Sequence, residues 1–142
     1  PKKTGIIEVI NEIYGLKVNI APERMIIDKE TGLTLAGTNQ VLFNIEYNSG
    51  LTRPILKIKM SRRQYDTVYD TNYTPVDIAT YVTNTFTGGT NGNYVIITSP
   101  PSNSNYTLRF KDNLQNGTYK IEFMLYDNNS LIGTVDKYVI IK

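Results

Sequence analysis

Through much of this chain, residues that avoid water recur at every second position. After Asn116-Gly117, the residues Tyr119, Ile121, Phe123 and Leu125 alternate with Lys120, Glu122, Met124 and Tyr126. Side chains of an extended backbone point to opposite faces in turn, so this spacing predicts a strand with one face in a core and one in water. Asp127-Asn128-Asn129-Ser130 reads as a turn, and Val135, Tyr138 and Ile140 mark a second strand running to the end. A hairpin this apolar needs a second sheet to cover it.

The same alternation recurs upstream. Val41, Phe43, Ile45 and Tyr47 predict a strand over 40–48, stopped by Ser49-Gly50. After Pro54, Leu56, Ile58 and Met60 alternate with Lys57, Lys59 and Ser61, and the strand continues into Arg62-Arg63-Gln64-Tyr65. Residues 94–98 form a β-rich run, and Tyr106, Leu108 and Phe110 define another strand. Between these two lies Ser99-Pro-Pro-Ser-Asn-Ser-Asn105, a loop by its turn-forming composition. Leu16, Val18 and Ile20 predict an edge strand that breaks at Ala21-Pro22. Met25-Ile26-Ile27 is a short apolar run before a turn at Lys29-Glu30-Thr31-Gly32.

Two stretches are less regular. Over 4–15, Ile6, Ile10, Ile13 and Tyr14 fit a helical stripe between a Thr4 cap and a Gly15 stop. The density of β-branched Ile and Val there favours an extended chain, so residues 1–15 are read as a linker or an added N-terminal strand. Residues 66–85 are read as mostly irregular; 76–82 fits either one helical turn after Pro75 or a short edge strand. Thr87 to Asn93, with three glycines, is a turn. About seven to nine short strands, with turn signals every 8–12 residues or so, predict an all-β antiparallel sandwich forming one domain over residues 1–142.

Composition narrows the chemistry. Histidine and cysteine are both absent, which removes the commonest general base and nucleophile at neutral pH along with disulfides and thiolate metal sites. The 13 acidic residues fall mostly in turns (Asp28, Glu30, Asp66, Asp70, Asp112, Asp127) or at outward strand positions (Glu46, Glu122), where carboxylates are solvated. No catalytic residue and no cofactor site is therefore expected. Oxygen ligation of Ca²⁺ by 127–130 or by Asp66 and Asp70 lacks the required spacing, so no metal site is expected either. A net charge of +2 points to no nucleic-acid partner, and no apolar run reaches the roughly 18–20 residues of a membrane helix, so no membrane insertion is expected. The start at Pro1 without Met suggests a fragment of a larger polypeptide.

One cluster stands out as a ligand surface. Lys57 and Lys59 share the outward face of their strand, Arg62 and Arg63 follow, and Tyr65, Tyr69 and Tyr73 come next. Cations and aromatic rings so placed suit sugars or acidic polymers. The simpler reading of the same residues is a solvated sheet face whose lysines discourage edge pairing. Lys17 and an acceptor such as Asn44 are residues of the type that form intramolecular cross-links in Gram-positive surface proteins, although no triad marks them.

The run GTYKIEFMLYD followed by IGTVDKYVIIK resembles the F–G hairpin of bacterial surface immunoglobulin-like domains. Such sandwiches often place a Tyr near the start of strand F, two residues before the inward position that carries Cys in antibodies. Tyr119 stands two residues before Ile121. On this resemblance, residues 41–47 would be strand B, 56–60 strand C and 106–110 strand E. The chain departs from antibody domains in having no Cys pair and no Trp, and its 66–93 stretch exceeds what a minimal domain needs. The resemblance implies a non-catalytic structural or adhesive module, extracellular or on the cell surface. Its implied partners are neighbouring domains of the same polypeptide and a protein or glycan ligand. A carbohydrate-binding module using exposed tyrosines and a phage tail or capsid decoration domain remain open beside it.

Overall fold

A computed structural model describes residues 15–20, 25–28, 32–35, 40–63, 72–83 and 86–141. In chain order the elements are β1 (Lys17–Ile20), β2 (Met25–Asp28), β3 (Gly32–Leu35), β4 (Gln40–Glu46), β5 (Pro54–Arg63), β6 (Tyr73–Val76), the single helical turn α1 (Ile78–Tyr81), β7 (Thr90–Asn91), β8 (Tyr94–Thr98), β9 (Asn103–Arg109), β10 (Gly117–Asp127) and β11 (Ser130–Ile141). They form two sheets. The smaller runs β1-β4-β9; the larger runs β2-β3-β11-β10-β5-β8-β7, with β6 also pairing β5. The parallel pairing of β3 with β11 aside, strand pairings among the described residues are antiparallel. The protein is an all-β, two-sheet sandwich, as the alternation predicts. Short β2, β3, β6 and β7 add to the longer strands that the pattern marks most clearly. The expected strand or linker over 1–14 lies outside the described residues.

The terminal hairpin closes with Asp127 opposite Ser130 and with Asn128 and Asn129 both at positive φ, 50° and 66°. Positive φ at both central residues is the hairpin turn whose twist matches that of the flanking strands, and Asn tolerates it better than most residues. The β10–β11 register shifts between Leu125 and Tyr126, where β11 holds one extra residue, Ile132. Ile132 is buried with Leu125 and Leu16 in a small second core. Of the residues of β11, Val139 and not Ile140 fills the main core. Residues directly opposite one another share a face. Val139 sits opposite the inward Tyr119, whereas Ile140 sits opposite Thr118 and is only half-buried.

The main core is the contact between inner faces. Val41, Phe43, Ile45 and Leu108 from the small sheet meet Leu56, Ile58, Met60, Val95, Ile97, Tyr119, Ile121 and Phe123 from the large one. The rings of Phe43 and Phe123 lie 5.0 Å apart, tilted by 54°, an arrangement aromatic pairs favour. Of the two alternatives for 76–82 the helical turn occurs, and the edge strand falls earlier, in a stretch read as irregular. Tyr73–Val76 adds an edge strand to β5, with Pro75 where an edge tolerates it, and the turn α1 then tucks Ile78 into the core.

Candidate functional site

The large sheet's outer face carries a cluster of cationic and aromatic side chains. Its register aligns Tyr94, Lys59, Glu122 and Asp136 in one cross-strand row, and Ile96, Lys57, Met124 and Thr134 in the next. Lys57 Nζ lies 4.6 Å from the centre of the Tyr126 ring and 5.8 Å from that of Tyr94. Lys120 Nζ lies 5.4 Å from the Tyr73 ring, which in turn is 6.0 Å from the Tyr138 ring. A cation over an aromatic face is attracted by the ring's quadrupole. Lys120 also approaches Glu122 at 3.9 Å. The rings of Tyr73, Tyr94 and Tyr126 thus carry ammonium groups where a sugar would stack, whereas Tyr138 is 41% exposed.

Of the residues the sequence singles out, Lys57, Lys59, Arg63 and Tyr73 share this face, with Arg63 buried. Tyr65 and Tyr69 lie outside the described residues. Arg62 points to the other side, because it is opposite the inward Tyr119. Its guanidinium donates to the Asn116 carbonyl from Nη2 at 2.6 Å and from Nε at 3.2 Å. Beside it the Tyr119 hydroxyl donates to the Gln115 carbonyl at 2.6 Å. Two consecutive carbonyls before β10 are thus held by two side chains. Burial raises the Tyr119 hydroxyl above its ordinary pKa of 10, and the neighbouring Arg62 opposes this.

Sequence reading missed Tyr94, Tyr126, Lys120, Glu122, Asp136 and Tyr138. Each occupies an outward position in its own strand, but only the register brings them together. Asp136 faces Glu122 across the hairpin. Its carboxyl is held above the ordinary 3.8, first by partial burial, then by the Glu122 charge, with Lys120 opposing. Asp136 as a residue remains largely exposed, so water screens much of this effect. The Tyr138 hydroxyl is raised as well, by burial and then by Asp136 and Glu122.

The small sheet's outer face is different in kind. Asn19, Asn44 and Asn105 stand in one row across all three strands. Asn44 Nδ2 donates to Asn103 Oδ1 at 2.8 Å and Asn105 Oδ1 at 2.9 Å, with the Ser104 carbonyl at 3.3 Å. Next in β4 comes Leu42, opposite Thr107 and 39% exposed. Asn19, Leu42, Asn44, Asn105 and Thr107 help to line an open hollow of about 260 Å³, and Asn103 stands just outside it. Lys17 and Asn44, weighed as cross-linking residues, both lie on this outer side, away from the core that shields such bonds.

No group of three or more carboxylates that could hold a metal ion occurs among the described residues. Asp127, considered as an oxygen ligand, accepts the Arg53 amide at 2.6 Å. No helix among the described residues is long and apolar enough to cross a membrane. No family model matches the chain, and no curated protein is significantly similar to it.

Proposed function

We propose that the chain is a non-catalytic, immunoglobulin-like structural or adhesive module of a bacterial cell-surface or secreted protein, joined to neighbouring domains of the same polypeptide. The observation that carries this reading is the Tyr119 hydroxyl bound to the carbonyl of Gln115, four residues upstream, with Ile121 two residues on at the position antibodies give to Cys. A tyrosine corner at the start of strand F has this construction. The strand order agrees: β1-β4-β9 runs as A, B and E, and β11-β10-β5-β8 as G, F, C and C′. Only a single bridge, Val82 to Phe110, stands at the end of β9 where strand D would lie, among the described residues. A non-catalytic role is supported by the absence of His and Cys and by carboxylates spread over turns and outward faces.

The test is immunolabelling of the source cells with antibodies raised against the chain. Labelling of intact cells is expected. Labelling that requires permeabilisation overturns the surface assignment, and labelling confined to virus particles replaces it with a tail or capsid component.

A further inference from the structure

We infer that the hollow on the outer face of the small sheet binds an uncharged glycan through the carboxamides of Asn44 and Asn105, oriented by Asn103 beside it, with Leu42 as its apolar platform. A carboxamide offers two donors and an acceptor. Asn44 spends both amide hydrogens on the Oδ1 atoms of Asn103 and Asn105, which fixes the orientation of all three groups. What remains is the Oδ1 of Asn44 and the NH₂ groups of Asn103 and Asn105, the last two on exposed residues. Acceptor and donors side by side match neighbouring sugar hydroxyls, which both give and take hydrogen bonds. Adjacent strands lie about 4.8 Å apart, so a row of amides reaches hydroxyls around a ring instead of a single one.

The rest of the hollow agrees with that ligand class. Leu42, 39% exposed, is one of two large hydrophobic residues so exposed among those described, and it borders the amides where the C–H face of a pyranose would lie. Among the described residues no carboxylate, ammonium or guanidinium group lines the hollow itself, which favours a neutral ligand, although Lys17 and Glu46 pair one row away. Its volume of about 260 Å³ is just under the range of roughly 300–1,000 Å³ that takes drug-sized molecules, a size for one residue of a glycan. Amides already held in place lose little freedom on binding, which favours even a shallow site. On the opposite face Lys57 and Lys120 lie over the rings of Tyr94, Tyr126 and Tyr73, although Tyr138 there is 41% exposed. The inference goes beyond the module reading and does not depend on it: a virion component with this sheet would bind in the same way.

The test is an NMR titration of the full ¹⁵N-labelled chain with methyl glycosides of glucose, galactose, mannose and N-acetylglucosamine. Saturable shifts are expected for at least one of them, at the side-chain amides of Asn44, Asn103 and Asn105 and the backbone of Leu42 and Thr107. Asn44→Ala is expected to weaken that binding about tenfold, and Asn105→Ala, which removes only an exposed side chain, to weaken it in the same direction. Tyr126→Ala, on the far face, is expected to leave it unchanged. The inference is overturned if no glycoside gives saturable shifts, if the shifts fall on Tyr94 and Tyr126 instead, or if binding survives both asparagine substitutions at full strength.

Discussion

The two outer faces of this sandwich hold their polar groups in opposite conditions. On the large sheet, Lys57 lies between two tyrosines, Lys120 between Tyr73 and Glu122, and Glu122 across from Asp136. The lysines there are engaged within the face, by rings and by Glu122. On the small sheet, one asparagine orients two others, and the outcome is a set of aligned donors and an acceptor turned outward. A surface rich in chemistry by composition can have its groups engaged with one another, whereas a hollow lined by amides can leave donors and an acceptor turned outward. Counting tyrosines and lysines in the sequence favours the first face; following the hydrogen bonds favours the second.

The largest way to break the comparison is to remove what holds the faces apart. Phe123→Ala opens a cavity beside Phe43 and is expected to cost about 3–5 kcal/mol. Denaturant unfolding measures it, and a loss under about 1 kcal/mol would contradict the central place of Phe123. Tyr119→Phe leaves the ring packed but removes the hydroxyl bound to Gln115, for an expected loss of about 1 kcal/mol. A double-mutant cycle on Lys57 and Tyr126 tests whether the large face is paired within itself. A coupling of about 0.5–1 kcal/mol, falling with added salt, is expected, and zero coupling would leave those rings available to a ligand.

The smallest effect concerns acidity. The Asp136 carboxyl binds its proton more tightly folded than unfolded, since burial and Glu122 raise its pKa. Its ionisation therefore costs stability as pH rises from the ordinary value of 3.8 through the folded value. Asp136→Asn is expected to remove that decline and leave the rest of the pH profile in place. An identical profile in the variant would mean that Glu122 and Asp136 do not sense each other.

Much of the architecture is legible because it depends on local alternation. Tyr119, Ile121, Phe123 and Leu125 declare their face without reference to any other strand, and so do Val41, Phe43 and Ile45. The last strand is harder. Val135 and Val139 have one parity, Tyr138 and Ile140 the other, and only the register with β10 and the extra residue at Ile132 decide which turns inward. The outward placement of Lys57 and Lys59 is visible in the same way. Their partners Tyr94, Tyr126 and Glu122 are not, because pairing across strands is set by the packed sheet. The asparagine row is the extreme case. Asn44 and Asn105 are 61 positions apart in a chain full of asparagine, and nothing near either one announces the other.

The absence of formal charge among the described residues lining the Asn44 hollow has an environmental consequence. Carboxamides neither gain nor lose protons between acid and mild alkali, and dissolved ions scarcely screen a dipole in contact with its partner. Grip on a sugar there would be indifferent to brine or acid, while the lysine- and carboxylate-bearing side of the same molecule changes with both.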